Sequence, residues 1–315
     1  MKYSNMNNTI SPDKSPYRFK FSDQTKGMFF AILAGCLWGL SGVIGQYLLQ
    51  TVHIDTAWMI AIRMWLPGTI LLGLCYRKYG KNIFLPLKNR KDIIYLVNFS
   101  IFGILVSQLC YFLTVKYSNA ATATILQYLY PIVIAVILTI YLRKPPSLYV
   151  ILSIILAITG TFCIITNGSI YEITLPPKAL LYGGISILSS VIYTLYPIPL
   201  LQKYNTSTIA GWGMLIGGII LNFFYPFWHL EVNLNFVNWI ELMIVIFGGG
   251  MFGFLFYLIG IKLLGSTKGS ILATVEPLSA VFFSVFLLNV KFTLIDWLGT
   301  ACIISMIIIL AVKKV

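Results

Sequence analysis

The 315-residue chain is 58 % hydrophobic and 10 % charged, with a mean hydropathy of +0.88 and a formal net charge of +13. Soluble domains carry about 25 % charged residues, so this composition excludes an ordinary soluble protein and points to a bilayer. It also excludes a nucleic-acid partner, because Lys and Arg gather between apolar runs, where membrane orientation accounts for them.

Residues 1–27 hold Lys2, Lys14, Arg18, Lys20 and Lys26 with Pro12 and Pro16. They read as a basic, mostly disordered tail that ends in a membrane-surface anchor and carries no cleavable signal. Ten apolar runs follow, near 28–49, 57–76, 94–115, 120–142, 148–166, 179–201, 208–228, 239–261, 269–290 and 294–312. A helix needs about 20 residues to cross the hydrocarbon core, and these runs have that length. The fold expected is therefore an all-α integral membrane protein with ten transmembrane helices.

With the N-terminus inside, the inner segments hold 18 Lys or Arg and the outer loops 3. That asymmetry places both termini and the basic 77–92 loop in the cytoplasm, across a cytoplasmic (inner) cell membrane. His53 and His229 fall in outer loops with no second ligand at metal-binding spacing. Trp58, Trp228, Trp239 and Trp297 sit near span ends, as interface anchors do. The five cysteines show no CxxC spacing and read as packing residues.

The chain aligns with itself at a shift of 146 residues, which lays 108–132 on 254–278. Tyr111 then meets Tyr257, Lys116 meets Lys262, and Pro131 meets Pro277. A first repeat over 28–166 and a second over 167–315 have five spans each. An odd number makes the second enter the membrane upside down, which gives two inverted five-helix repeats with a ligand site near the midplane between them.

Few polar groups interrupt the spans. Glu276, directly before Pro277, is the one carboxylate deep in a run. Insertion scales charge such a group about 2.5–3.5 kcal/mol, which makes it a functional-site candidate. Pro277 lacks an N–H and crowds the carbonyl of Ala273, so the helix bends and leaves acceptors free there. Arg63 enters span 2 about 9 Å from the outer face at about 1.5 Å per residue. Snorkelling to the outer surface is its first reading and a substrate contact its second. Gln127 and Tyr130 lie within a turn of Pro131 and mirror the Glu276 region. Trp38 and Tyr193 fall in the first span of each half, where a ring stacks on a ligand or packs. Gly35, Gly39, Gly42 and Gly45, with Gly248, Gly249, Gly250 and Gly253, let helices approach closely.

In this order of features the sequence resembles the EamA-type drug/metabolite transporters. Trp38-Gly39 stand in span 1, Arg63 early in span 2, a short loop joins spans 3 and 4, and spans 4 and 9 contain proline, the latter as Glu276-Pro277. The resemblance covers nearly the whole chain. It implies a secondary transporter that moves a small organic metabolite or drug, such as an amino acid, amine or nucleoside-like solute, by alternating access, with efflux the expected direction. The substrate-binding or coupling residues would be Glu276, Gln127, Tyr130, Trp38, Tyr193 and Arg63, with helix breaks at Pro131 and Pro277. Protons are the candidate coupling ion. No cofactor or metal is expected. An intramembrane enzyme needs an acid–base pair or metal ligands at membrane depth, and a channel needs a charged ring or filter loop; the sequence offers neither. It has no GxxxxGK[ST] motif for ATP-driven pumping.

Overall fold

A computed structural model describes residues 21–130, 132–134, 136–137, 148–168, 174–229, 232–264, 269, 272–273 and 275–312. Helix is the only regular structure among these residues. In chain order the helices are α1 (Phe21–Gln50), α2 (Thr56–Tyr79), α3 (Arg90–Tyr117), α4 (Ala120–Gln127), α5 (Leu148–Thr166), α6 (Pro177–Lys203), α7 (Thr206–Phe224), α8 (Phe236–Leu264), α9 (Val275–Leu288) and α10 (Leu294–Val312). By length and composition α1, α2, α3, α5, α6, α7 and α8 are each able to cross a membrane, and α4, α9 and α10 give shorter apolar stretches.

Several starts are written in the sequence as side-chain caps. Asp55, Asn89, Asn119, Asn205 and Asn235 each accept a backbone N–H two or three residues on, at the heads of α2, α3, α4, α7 and α8. Such a cap satisfies one of the orphan N–H groups of a helix end and is worth about 0.5–2 kcal/mol. α3 and α8 each pass through a π-helical stretch, Phe99–Leu105 and Ile244–Gly253, at equivalent places in the 146-residue alignment. α6 breaks after Leu195 and resumes at Ile198, where Pro197 and Pro199 interrupt it.

The helices pack as a bundle. α1 lies against α8 and α9, α3 against α6 and α7, α2 against α7 and α8, and α5 against α10. Glycines set the α2–α7 crossing. A Cβ on Gly68 would stand 2.5 Å from the Leu215 nitrogen, and one on Gly218 would stand 2.5 Å from the Trp65 nitrogen. At one end of the bundle Asn205 donates to Tyr79 and Trp212 to the Ile83 carbonyl. At the other end Trp58 donates to the Phe227 carbonyl and Thr293 to Asn167. Large apolar side chains such as Phe223, Phe286, Leu148 and Ile158 face outward. Water would disfavour that surface, and lipid accepts it.

Four expectations are corrected. α1 begins at Phe21 rather than near residue 28, with Asp23 in its first turn favouring the helix start. Runs 120–142 and 269–290 are interrupted rather than continuous helices among the described residues. α4 stops at Gln127 with a turn at Tyr128 and Leu129 before helix resumes at Tyr130, and the second region turns at Ala273 before α9 begins at Val275. The cause in the second case is Pro277, whose missing N–H ends the ladder that would otherwise reach Ala273. Pro131, expected to do the same in the first case, lies outside the described residues. Trp58 is buried against the 222–227 segment instead of anchoring at the lipid interface, because its indole N–H finds the Phe227 carbonyl.

Candidate functional site

One cavity, about 60 Å³ in volume, lies inside the bundle. It draws Trp38 from α1, Arg63 from α2, Gln108 and Tyr111 from α3, Gln127 from α4, Tyr193 from α6, Tyr257 from α8 and Glu276 from α9, with Tyr130 just beyond α4. The six residues singled out from the sequence thus meet at one place.

Its walls differ in chemistry. On one side rings pack on rings: Tyr193 stacks on Tyr257 at 5.7 Å between centroids, and Trp38 meets Phe254 at 5.3 Å and Tyr257 at 5.0 Å. The Trp38 indole donates to the Gly249 carbonyl at 2.9 Å, which fixes its plane. Gly249 has to be glycine, since a Cβ there would collide with Ser41 and approach an Arg63 nitrogen to 2.9 Å. On the other side are hydroxyls and amides. Gln127 Nε2 donates to Ser186 at 2.7 Å and to Ser107 at 3.2 Å, and Ser107 stands 3.3 Å from Ser190.

A guanidinium and a carboxyl group face this space. Glu276 is 6 % exposed in the first turn of α9. The Tyr128 hydroxyl stands 3.0 Å from Glu276 Oε2 and 2.6 Å from the Ala273 carbonyl. The Ala273 carbonyl, denied the N–H that Pro277 lacks, accepts the Glu276 backbone N–H at 2.9 Å as well as the Tyr128 hydroxyl, so the proline, this carbonyl and the carboxylate form one local unit tied across to the first half of the chain. Gly35 and Gly39 of α1 let that unit sit close: a Cβ on Gly35 would lie 3.0 Å from the Glu276 nitrogen, and one on Gly39 would lie 2.8 Å from the Ala280 nitrogen.

Arg63 departs from its first reading. It does not snorkel outward; it is 3 % exposed and lies with its guanidinium carbon 4.7 Å from the Phe112 ring centroid. Depth along the helix was legible in the sequence, but the glycines of α8 that clear a path inward for the side chain act from a distant segment. A Cβ on Gly250 would lie 3.1 Å from Arg63 Cγ.

The residues not singled out as ligand-facing are Tyr128, Gln108, Ser107, Ser190, Thr194, Tyr111, Phe112, Phe254 and Tyr257. One signal was available for two of them. Tyr111 and Tyr257 are repeat mates, as are Tyr130 and Glu276, and both pairs line the cavity.

Apolar, membrane-length helices around a central cavity that carries a few polar side chains mark a multi-pass membrane protein. The EamA-like transporter family model matches the chain twice, over residues 25–166 and 177–312, and the chain belongs to that family. It is 37 % identical to the uncharacterised inner membrane transporter YicL of Salmonella typhimurium, over 92 % of this chain and 96 % of that protein. It is 23 % identical to the uncharacterised transporter YetK of Bacillus subtilis, over 88 % and 84 % of the two chains. A crystal structure 15 % identical in sequence shares the fold, with a TM-score of 0.61 over 91 % of this chain and 96 % of that one.

Proposed function

We propose that the protein is a secondary transporter moving a small organic metabolite or drug out across the cytoplasmic membrane. It works by alternating access, with ten spans in two inverted repeats, 28–166 and 167–315, rocking about the central cavity. The observation that carries this reading is the convergence of residues from both halves, with a buried guanidinium and a buried carboxyl group, on one central cavity. Several facts support the repeat: the family model fits twice, the α1–α8 contact is matched by α6–α3, α2–α8 by α7–α3, and Gly68 on Leu215 by Gly218 on Trp65. Hydrogen bonds between segments expected on the same side of the membrane fit alternating spans, with both termini in the cytoplasm.

At about 60 Å³ the cavity is far smaller than the roughly 300–1,000 Å³ of typical solute sites, so the halves have to separate to admit a ligand. Glycine contacts between α1 and α9 and between α2 and α7 supply surfaces smooth enough for that motion.

Glu276 is the coupling residue, and hydrogen-bond bookkeeping favours a proton there over a substrate ammonium. A phenol has one proton to give. If Tyr128 spends it on the Ala273 carbonyl, the shorter contact, then the contact with Glu276 is a hydrogen bond only when Glu276 itself carries a proton. Glu276→Gln keeps the shape and can still donate to Tyr128. In proteoliposomes the variant is expected to retain solute exchange and lose accumulation driven by a pH gradient. Failure of binding itself would assign Glu276 to a substrate cation, and unchanged binding with unchanged pH dependence would remove it from the mechanism.

A further inference from the structure

We infer that the transported solute carries a carboxylate and that Arg63 is the residue that recognises it, an inference that rests on the transporter reading of this cavity. Arg63 is buried, and among the described residues its Nε and Nη1 have no acceptor. A guanidinium stays charged, so burial without a partner is a cost that the fold itself does not offset. Its one described contact of consequence is the Phe112 ring, which favours a cation without accepting a hydrogen bond.

The nearest opposite charge does not meet that need. Among the described residues the only ion pair within 4.0 Å joins Lys203 to Asp92, so Arg63 and Glu276 line one cavity without closing on each other. Glu276 is instead engaged by Tyr128. Two further cavity groups, Gln108 Oε1 and the Tyr193 hydroxyl, are buried and also have no partner among the described residues. A cation and two neutral polar groups left unsatisfied at one internal space match an absent anionic ligand with additional polar atoms.

Charge and size select the class of anion. The cavity holds one cation and one carboxylic group, so a monoanion is matched by Arg63, whereas a phosphate dianion would leave negative charge uncompensated at low dielectric. A planar carboxylate also fits the planar guanidinium fork. Room for about four to six waters, at about 10–15 Å³ each, suits the head of such a solute, and the Trp38, Tyr193 and Tyr257 rings would meet its apolar body.

The test holds the body constant and changes the head. Purified full-length protein in lipid nanodiscs is titrated with phenylacetate, phenylacetamide, phenethylamine and phenyl phosphate, with butyrate and butyramide as a second body and adenosine as a carboxylate-free solute. Thermal stabilisation gives binding, and proteoliposome flux gives transport. Carboxylates should bind at least about tenfold more tightly than the matching amides, in line with a hydrogen bond to a charged group. Arg63→Gln should abolish that preference and Arg63→Lys restore part of it. The comparison of heads is made on the unaltered protein, so it stands even if Arg63→Gln does not fold. Equal binding of acid and amide, tighter binding of phenyl phosphate, or a preference that survives Arg63→Gln overturns the inference. Binding and flux of phenethylamine or adenosine with neither carboxylate recognised overturns it while leaving the transporter reading intact. Absence of binding and flux for every solute overturns both.

Discussion

Asp92 and Arg63 are both 3 % exposed, yet the chain treats the two charges in opposite ways. Asp92, at the start of α3, accepts from Lys203 at 2.8 Å and from the Tyr204 hydroxyl at 2.7 Å, a latch that ties the first half of the chain to the α6–α7 junction. Burial and the neighbouring carboxylate push Tyr204 up to about 12, so it stays a donor across the physiological range. Arg63 has no such arrangement around it. On the inference above, the charge at the edge is satisfied because it is structural, and the one at the centre is left open for a solute that comes and goes.

The largest test of this contrast removes the open charge. Arg63→Met should hold or raise thermal stability, because an uncompensated buried cation is replaced by an apolar chain of similar length, while transport falls by roughly 100-fold or more as about 3 kcal/mol of ligand recognition goes. A loss of stability in parallel with transport would make Arg63 a structural residue. Next in size is the closed charge. Asp92→Leu strands the Tyr204 hydroxyl and should cost about 1–3 kcal/mol of stability with solute affinity unchanged, measured by denaturation and by ligand titration of the same sample. Tyr128→Phe sits between the two regions in kind: it removes one of the two donors to the Ala273 carbonyl and one Glu276 contact, and should cost about 1–2 kcal/mol and alter the pH dependence of transport. Smallest is Lys203→Met. The Lys203 side chain is 53 % exposed, so solvent screens the pair and the loss should stay below about 1 kcal/mol.

Much of the fold was legible because membrane crossing demands long apolar runs and helix starts demand caps. Asp55, Asn119 and Asn205 each stand at the head of a helix where the apolar pattern begins. The Glu276–Pro277 pair stood out for a related reason, since a carboxylate and a missing N–H in an apolar run both need compensation. Arg63 was misjudged because its direction is set by Gly249 and Gly250, almost two hundred residues away in sequence, and depth along a helix carries no information about azimuth. Tyr128 was missed as the Glu276 partner because a buried tyrosine is usually a packing ring, and only the three-dimensional crossing brings its hydroxyl to Ala273. The turns inside the fourth and ninth runs were not legible because hydropathy continues unchanged through them.

The central claim is that one cavity serves both sides of the membrane in turn, and accessibility of a residue inside it tests that most directly. Ser190 lines the cavity and is buried, and a cysteine there is nearly isosteric. In a variant with the five native cysteines removed, Ser190→Cys should react with an impermeant thiol reagent from outside in intact cells and from inside in inverted vesicles, and a bound solute should slow both reactions. Reaction from one side only, unaffected by solute, would contradict alternating access about this cavity.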